Sequence, residues 1–228
     1  KIMKIGIVGC LGRMGKMLVN EVILNNETVL SGGTEQPGSS CLNRDLGILV
    51  GHNKTGLLIG SDPEVLFENS DTIIDFTTPE ASILHAELAS KHGTALVLGT
   101  TGFNAHQQRK LRDCASESVM VHASNFSIGI NFLLDMTERA AVLLGEDYDI
   151  EICEMHHRHK VDAPSGTALS IGEAAAKGAG LDLVKAGTRV RDGIIGPRKK
   201  STIGFATLRG GSVVGDHTVI FAGDRECI

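Results

Sequence analysis

The sequence predicts an α/β fold: a doubly wound, mostly parallel sheet over residues 1–126, followed by an α+β domain with an open, antiparallel-rich sheet over 127–228. Three observations carry this. Short β-rich runs alternate with amphipathic stretches through the first half. A glycine loop separates the first run from the first helical stretch. After Asn125-Phe126-Ser127 the pattern becomes helix, strand, helix and then two strands.

Lys4 to Val8 reads as a buried strand, and Met14, Met17, Leu18 and Val22 mark one face of the helix after it. Thr28 to Thr34 is a second strand; residues 37–60 are rich in loop formers. Asp62-Pro63-Glu64 has a capping acid followed by Pro at the first helical position. Thr72 to Phe76 is the third strand, and Ala81, Leu84, Leu88 and Ala89 form a helical face. Ala95 to Leu98, a helix near 105–118 and Val119 to Val121 complete the alternation. In the second half Ile130, Leu133, Leu134, Thr137 and Ala141 form a helical stripe, and Ile150 and Ile152 alternate with acids in a strand. A helix follows Ser165. Residues 202–222 read as two strands joined as a hairpin at Arg209-Gly210-Gly211-Ser212.

Composition narrows the function classes. A net charge of −5 gives no electrostatic reason to expect DNA or an anionic membrane as partner, and one Tyr with no Trp leaves few platforms for stacking bases. No apolar run approaches the ~18 residues of a membrane helix, and no secretory leader opens the chain. Five scattered cysteines without a C-x-x-C pair point to a reducing cytoplasm rather than a disulfide framework or zinc ribbon.

Gly9-Cys10-Leu11-Gly12-Arg13-Met14-Gly15 lies between the first strand and first helix, spaced G-x-x-G-x-x-G. Glycines let backbone amides approach a pyrophosphate, and the helix N-terminus adds partial positive charge. A glycine triplet alone is more often a structural turn. Here a strand precedes it, a helix follows, and Glu35 at the end of strand two can accept hydrogen bonds from an adenosine ribose. A dinucleotide is therefore expected. Gln36 beside Glu35 offers a 2′-phosphate little compensation, although Arg13 could supply a cation, so NADH is expected to serve at least as well as NADPH. Gly99-Thr100-Thr101 and Ala123-Ser124-Asn125-Phe126 follow strand ends on the presumed ligand side.

The second motif is EMHHRHKVDAPSGT, Glu154 to Thr167. As a metal site it fits poorly. In a strand, His157 and His159 share one face while Glu154 and His156 share the other, and no distant donor cluster completes a set. A solvated basic patch is the bland alternative, weakened because the run continues a strand and ends at a helix start. Ser165 reads as the helix cap, leaving the amides of Gly166 and Thr167 free to bind an anion. His and Lys side chains suit proton delivery near neutral pH. The motif reads as a pocket for a small carboxylate or dicarboxylate, equipped with an acid catalyst.

Taken together, GCLGRMG at 9–15, DFTTPE at 75–80, GTTGF at 99–103, NFSIGIN at 125–131, EMHHRHKVDAPSGTA at 154–168 and IGFATLRGGSVVGDHTVIFA at 203–222 resemble the 4-hydroxy-tetrahydrodipicolinate reductase (dihydrodipicolinate reductase) family, in family order and over nearly the whole chain. The resemblance implies a Rossmann-like first domain over 1–126. The second, over 127–228, would bind substrate and use an open mixed sheet for tetramerisation. The implied activity is NAD(P)H-dependent reduction of a cyclic dicarboxylate in diaminopimelate and lysine biosynthesis, with no metal. It makes His156 and Lys160 proton donors or stabilisers of transient negative charge, His157, Gly166 and Thr167 substrate ligands, and Gly9, Cys10, Leu11, Gly12, Arg13, Met14, Glu35, Gly99, Thr100, Thr101, Ala123, Ser124, Asn125 and Phe126 cofactor contacts. Two departures are noted. Some members carry Arg where Gln36 stands, and the family continues past the position of Ile228 with a strand and a segment returning to the cofactor domain. A chain opening at Lys1 also reads as less than a complete gene product. A NAD-binding redox sensor or regulatory protein would share the glycine loop without needing the His-His-x-x-Lys block; a related dehydrogenase acting on another small acid is the remaining rival.

Overall fold

A computed structural model describes residues 2–228. They fold as two compact units, the first ending at Ser124 and the second spanning Asn125–Ile228.

The first unit runs β1 (Met3–Val8), α1 (Arg13–Leu24), β2 (Thr28–Thr34), α2 (Leu46–Leu49), α3 (Pro63–Glu68), β3 (Thr72–Asp75), α4 (Pro79–His92), β4 (Ala95–Leu98), α5 (Ala105–Ala115) and β5 (Met120–His122). Its sheet is parallel throughout, in the order β2-β1-β3-β4-β5. The chain leaves β1 for β2 on one side and returns to β3 on the other, so the carboxyl ends of β1 and β3 form a topological switch point. Val8 is in register with both Thr34 and Asp75, which places the glycine loop beside the segment after β3. Apolar residues fill both faces: Ile5, Ile7 and Leu30 with Val19 and Val22 of α1 on one, and Ile73, Leu96 and Leu98 with Phe67 and Leu88 on the other. Asp62 caps α3 by accepting from Glu64 N at 2.9 Å, with Pro63 at its first position.

Two expected helix faces are displaced. On α1, Met14 and Met17 are exposed, and Gly15, Val19 and Val22 are buried instead. The cause is Gly15: a Cβ there would lie 2.1 Å from Gly9 O, so the bare glycine lets the helix close on the loop and sets its rotation. On α4, Leu84 is exposed, and Ser82 and His85 are buried with Leu88 and Ala89. Polar bonding to β3 and the loop after β4 turns those two inward.

The second unit runs α6 (Ile128–Leu144), a 3₁₀ turn (Gly145–Asp147), β6 (Asp149–His156), α7 (Gly166–Ala179), α8 (Leu183–Ala186), β7 (Gly187–Thr188), β8 (Ile203–Arg209) and β9 (Asp216–Ala222). The sheet order is β7-β8-β6-β9. β6 pairs in parallel with β8 and antiparallel with β9, and β7 pairs in parallel with β8. The expected hairpin is therefore wrong: β8 and β9 flank β6, and two of the three pairings are parallel. Residues 210–215 can reach across the intervening strand, since two strand spacings come to ~10 Å and six extended residues span ~20 Å. Along β6 burial alternates strictly, with Ile150, Ile152, Glu154 and His156 all buried. Ile150 and Ile152 share their core with Ala168, Ile171 and Ala175 of α7. The polar pair thus occupies the last two inward positions of a hydrophobic strand face.

Candidate active site

In the first unit the loop from Gly9 to Met14 leaves β1 and turns at once into α1. Gly9 adopts φ +62°, Gly12 N donates to Gly9 O at 3.1 Å, and Gly12 caps the helix with no side-chain bond to its first amides. Cys10 is fully buried; burial and the nearby Glu35 carboxylate push its thiol up to about 12, so it is a neutral core group and offers a ligand only its backbone. Glu35 accepts from Leu11 N at 2.7 Å and so fastens the middle of the loop. A cavity of about 400 Å³ beside it is lined by Gly9, Glu35, Gln36, Thr77, Thr78 and His85, among others. Gly99 N donates to Asp75 O, Thr101 is exposed, and Thr100 points into the protein, bonded to Ser82 Oγ at 2.9 Å. Ala123 N donates to Leu98 O at 3.2 Å, continuing the β4 ladder.

The residues read as cofactor contacts miss part of this wall. Asp75 is fully buried and accepts from His85 Nδ1 at 2.8 Å, Thr77 N at 2.8 Å and Thr77 Oγ1 at 2.7 Å. Burial opposes ionisation, but the bonds from His85 and Thr77 outweigh it and hold the carboxyl below its usual range. The ten-residue spacing from strand end to helix hides this pairing in the sequence. The signal that could have found it is a histidine at an inward position of α4, where an apolar residue is expected.

In the second unit β6 ends at His156, earlier than a strand through His159 would require. His157 to Lys160 form a turn in which Lys160 N donates to His157 O at 3.1 Å. The His157 and His159 rings are 6.3 Å apart, and His157 Nδ1 is shielded from solvent with no partner among the described residues. Lys160 Nζ pairs with Asp162 at 2.8 Å. Ser165 caps α7, accepting from Ala168 N at 3.1 Å, so the amides of Gly166 and Thr167 occupy the first turn, where a helix has no internal acceptors. Asn125 Nδ2 donates to Thr167 Oγ1 at 3.4 Å, and Phe126 lies just before the Ser127 cap of α6.

Glu154 organises this unit. Oε2 accepts from His156 Nδ1 at 2.5 Å and Arg209 Nη1 at 2.8 Å; Oε1 accepts from Arg209 Nη2 at 2.9 Å and Ser165 N at 3.1 Å. Arg209 is opposite His156 in the parallel β6–β8 register. His217 of β9 stands edge-on to His156 at 5.1 Å, with Nε2 3.2 Å from Ser165 Oγ. Burial and the neighbouring His156 hold His217 below the usual histidine range. For Glu154 burial acts upward, yet the bonds from Arg209, His156 and Ser165 N bring it down to about 2 from 4.5. A depressed carboxyl stabilises the fold above its unfolded value and loses that contribution as pH falls through the folded one. Glu154→Gln is therefore expected to lower the urea midpoint at pH 7, the lost term being on the order of 3 kcal/mol. The gap from wild type should narrow as pH falls from 4.5 toward 2. A gap constant over that window would contradict the ionised carboxylate.

Family models for the N-terminus and the C-terminus of dihydrodipicolinate reductase match residues 3–126 and 129–228. The chain belongs to the dihydrodipicolinate reductase family. It is 48% identical over 226 residues to the 4-hydroxy-tetrahydrodipicolinate reductase of Cupriavidus metallidurans, covering 99% of this chain and 85% of that one. The Roseobacter denitrificans reductase is 45% identical, with 99% and 83% covered. Among solved structures, the dipicolinate-bound dihydrodipicolinate reductase from Paenisporosarcina sp. TG-14 superposes with a TM-score of 0.76 at 23% identity, covering 100% of this chain and 86% of that one. At that identity it speaks for the fold.

Proposed function

We infer that the chain catalyses NAD(P)H-dependent reduction of 4-hydroxy-tetrahydrodipicolinate to tetrahydrodipicolinate, in diaminopimelate and lysine biosynthesis. The observation that carries this reading is one carboxylate, Glu154, joining His156 to the capped N-terminus of α7, so that an acid and an anion clamp share one support. The 400 Å³ cavity and the loop closed by Gly15 fit a dinucleotide. The amides of Gly9 to Met14 would receive the pyrophosphate, and Glu35, whose Oε1 already takes Leu11 N, would offer Oε2 to a ribose hydroxyl. Gly99 to Thr101 and Ala123 to Phe126 would complete the contacts.

The cofactor supplies the hydride. The protein's part is to hold the ring and manage charge. Gly166 and Thr167 amides would bind one carboxylate, assisted by His157. Loss of the 4-hydroxyl as water leaves a conjugated imine; once hydride reaches the ring, His156 or Lys160 would supply the proton or stabilise the transient negative charge. General-acid assistance of this kind contributes ~10²- to 10⁴-fold.

Following NADH absorbance with freshly made product of the preceding synthase tests the reading; a folded protein showing no substrate-dependent loss would end it. NADH is expected to serve at least as well as NADPH, because Gln36 beside Glu35 brings no charge to a 2′-phosphate. A KM for NADPH far below that for NADH would contradict this. The same reading carries a homotetramer, supported by Glu151, Cys153 and Met155 staying partly exposed on the outward face of β6. It also carries a cytoplasmic location. No helix of the described residues is long and apolar enough to cross a membrane.

A further inference from the structure

We propose that Glu154 is a positioning residue that fixes the Nδ1–H tautomer of His156 and sets its place relative to the amides of Gly166 and Thr167. This rests on the proposed roles of His156 and α7, and it adds a residue to neither the acid nor the clamp.

The geometry is that of a single buried hub. Glu154 is 1% exposed, and all four of its bonds are accepted by the carboxylate oxygens. A carboxylate only accepts, so the imidazole nitrogen facing it must carry a hydrogen. The remaining ring nitrogen, Nε2, is then the one left for chemistry: it takes a proton from solvent to form the imidazolium and donates that proton, and it points past Gly215, where a Cβ would come within 2.8 Å of it. An unanchored imidazole divides between two tautomers and several ring orientations. A fixed acceptor on one ring nitrogen removes both freedoms. The other oxygen, Oε1, holds Ser165 N, the residue that caps α7. One planar group therefore bonds both the ring and the first residue before the anion-binding turn. Arg209 bonds both oxygens and, through Nη2, also donates to Asp162 O at 2.7 Å, so the carboxylate cannot rotate without breaking the fork. Two of the four bonds are Arg209's; the other two tie the carboxylate to the His156 ring and to the cap of α7.

The test is Glu154→Gln in the same chain, read by the ¹⁵N signals of the His156 ring (assigned with His156→Asn), by kinetics and by NADH titration. Wild type is expected to show His156 protonated at Nδ1. In Glu154→Gln the tautomer should become mixed, kcat should fall by at least about tenfold, short of the ~10⁴-fold known when a histidine-orienting carboxylate is neutralised, and KM for the dicarboxylate should rise. NADH affinity should stay unchanged. An unchanged tautomer in the folded variant overturns the proposal. If the variant does not fold, wild type decides alone: an Nε2–H tautomer for His156 overturns it. The underlying reading is separated by His156→Asn. If that variant keeps its kcat while Glu154→Gln shifts the tautomer, the positioning stands and the acid role of His156 falls.

Discussion

Lys160→Ala is expected to lower kcat by about 10²- to 10⁴-fold, the range of a lost general acid, while NADH affinity stays near that of wild type. Lys160 lies in the turn after β6, its Nζ held by Asp162 at 2.8 Å, and the carbonyl of Asp162 is anchored by Arg209. The ammonium is therefore positioned by the hub that supports His156, in a segment with no part in the glycine loop. Steady-state kinetics with a separate NADH titration checks this. Loss of NADH binding would move Lys160 from the acid's role to the cofactor's.

Gly15→Ala is expected to weaken NADH binding about 10- to 100-fold, because the added methyl must be relieved by moving the loop. Its Cβ would stand 2.1 Å from Gly9 O and 2.7 Å from the Cys10 carbonyl carbon, both backbone atoms with no rotamer to change. Overpacking of this kind costs ~1–3 kcal/mol, and each ~1.4 kcal/mol is a factor of ten. Calorimetric titration of the folded variant is the measurement. Affinity within a factor of about two of wild type would show that the pyrophosphate does not depend on that close approach.

Much of this was legible in the residues. Thr28–Thr34 and the Asp62 cap are read directly, since a short run opening on Thr-Val-Leu and an Asp-Pro start act locally. The inward pair Glu154 and His156 follows from alternation that begins at Ile150. What was not legible depends on partners far along the chain. Periodicity places Met14 and Met17 inside, but the rotation of α1 is set by a glycine against a backbone carbonyl, which no hydrophobic pattern records. The same periodicity places Leu84 inside, because the buried Asp75–His85 bond that turns α4 joins two elements. Arg209 reaches Glu154 only because β8 lies parallel to β6; a hairpin reading of 202–222 hides that register.

The central position of β6 also governs the order in which this site can come into being. Its partners, β8 and β9, are both encoded after it, so during synthesis the strand carrying Glu154 and His156 emerges with both edges bare. Unpaired strand edges on an apolar segment are templates for wrong association. For the interval between the emergence of His156 and that of Asp216–Ala222, α7 is a later element that can cover the apolar face of the strand. A chain paused before residue 203 would therefore hold both edges of β6 bare while the candidate site is half built.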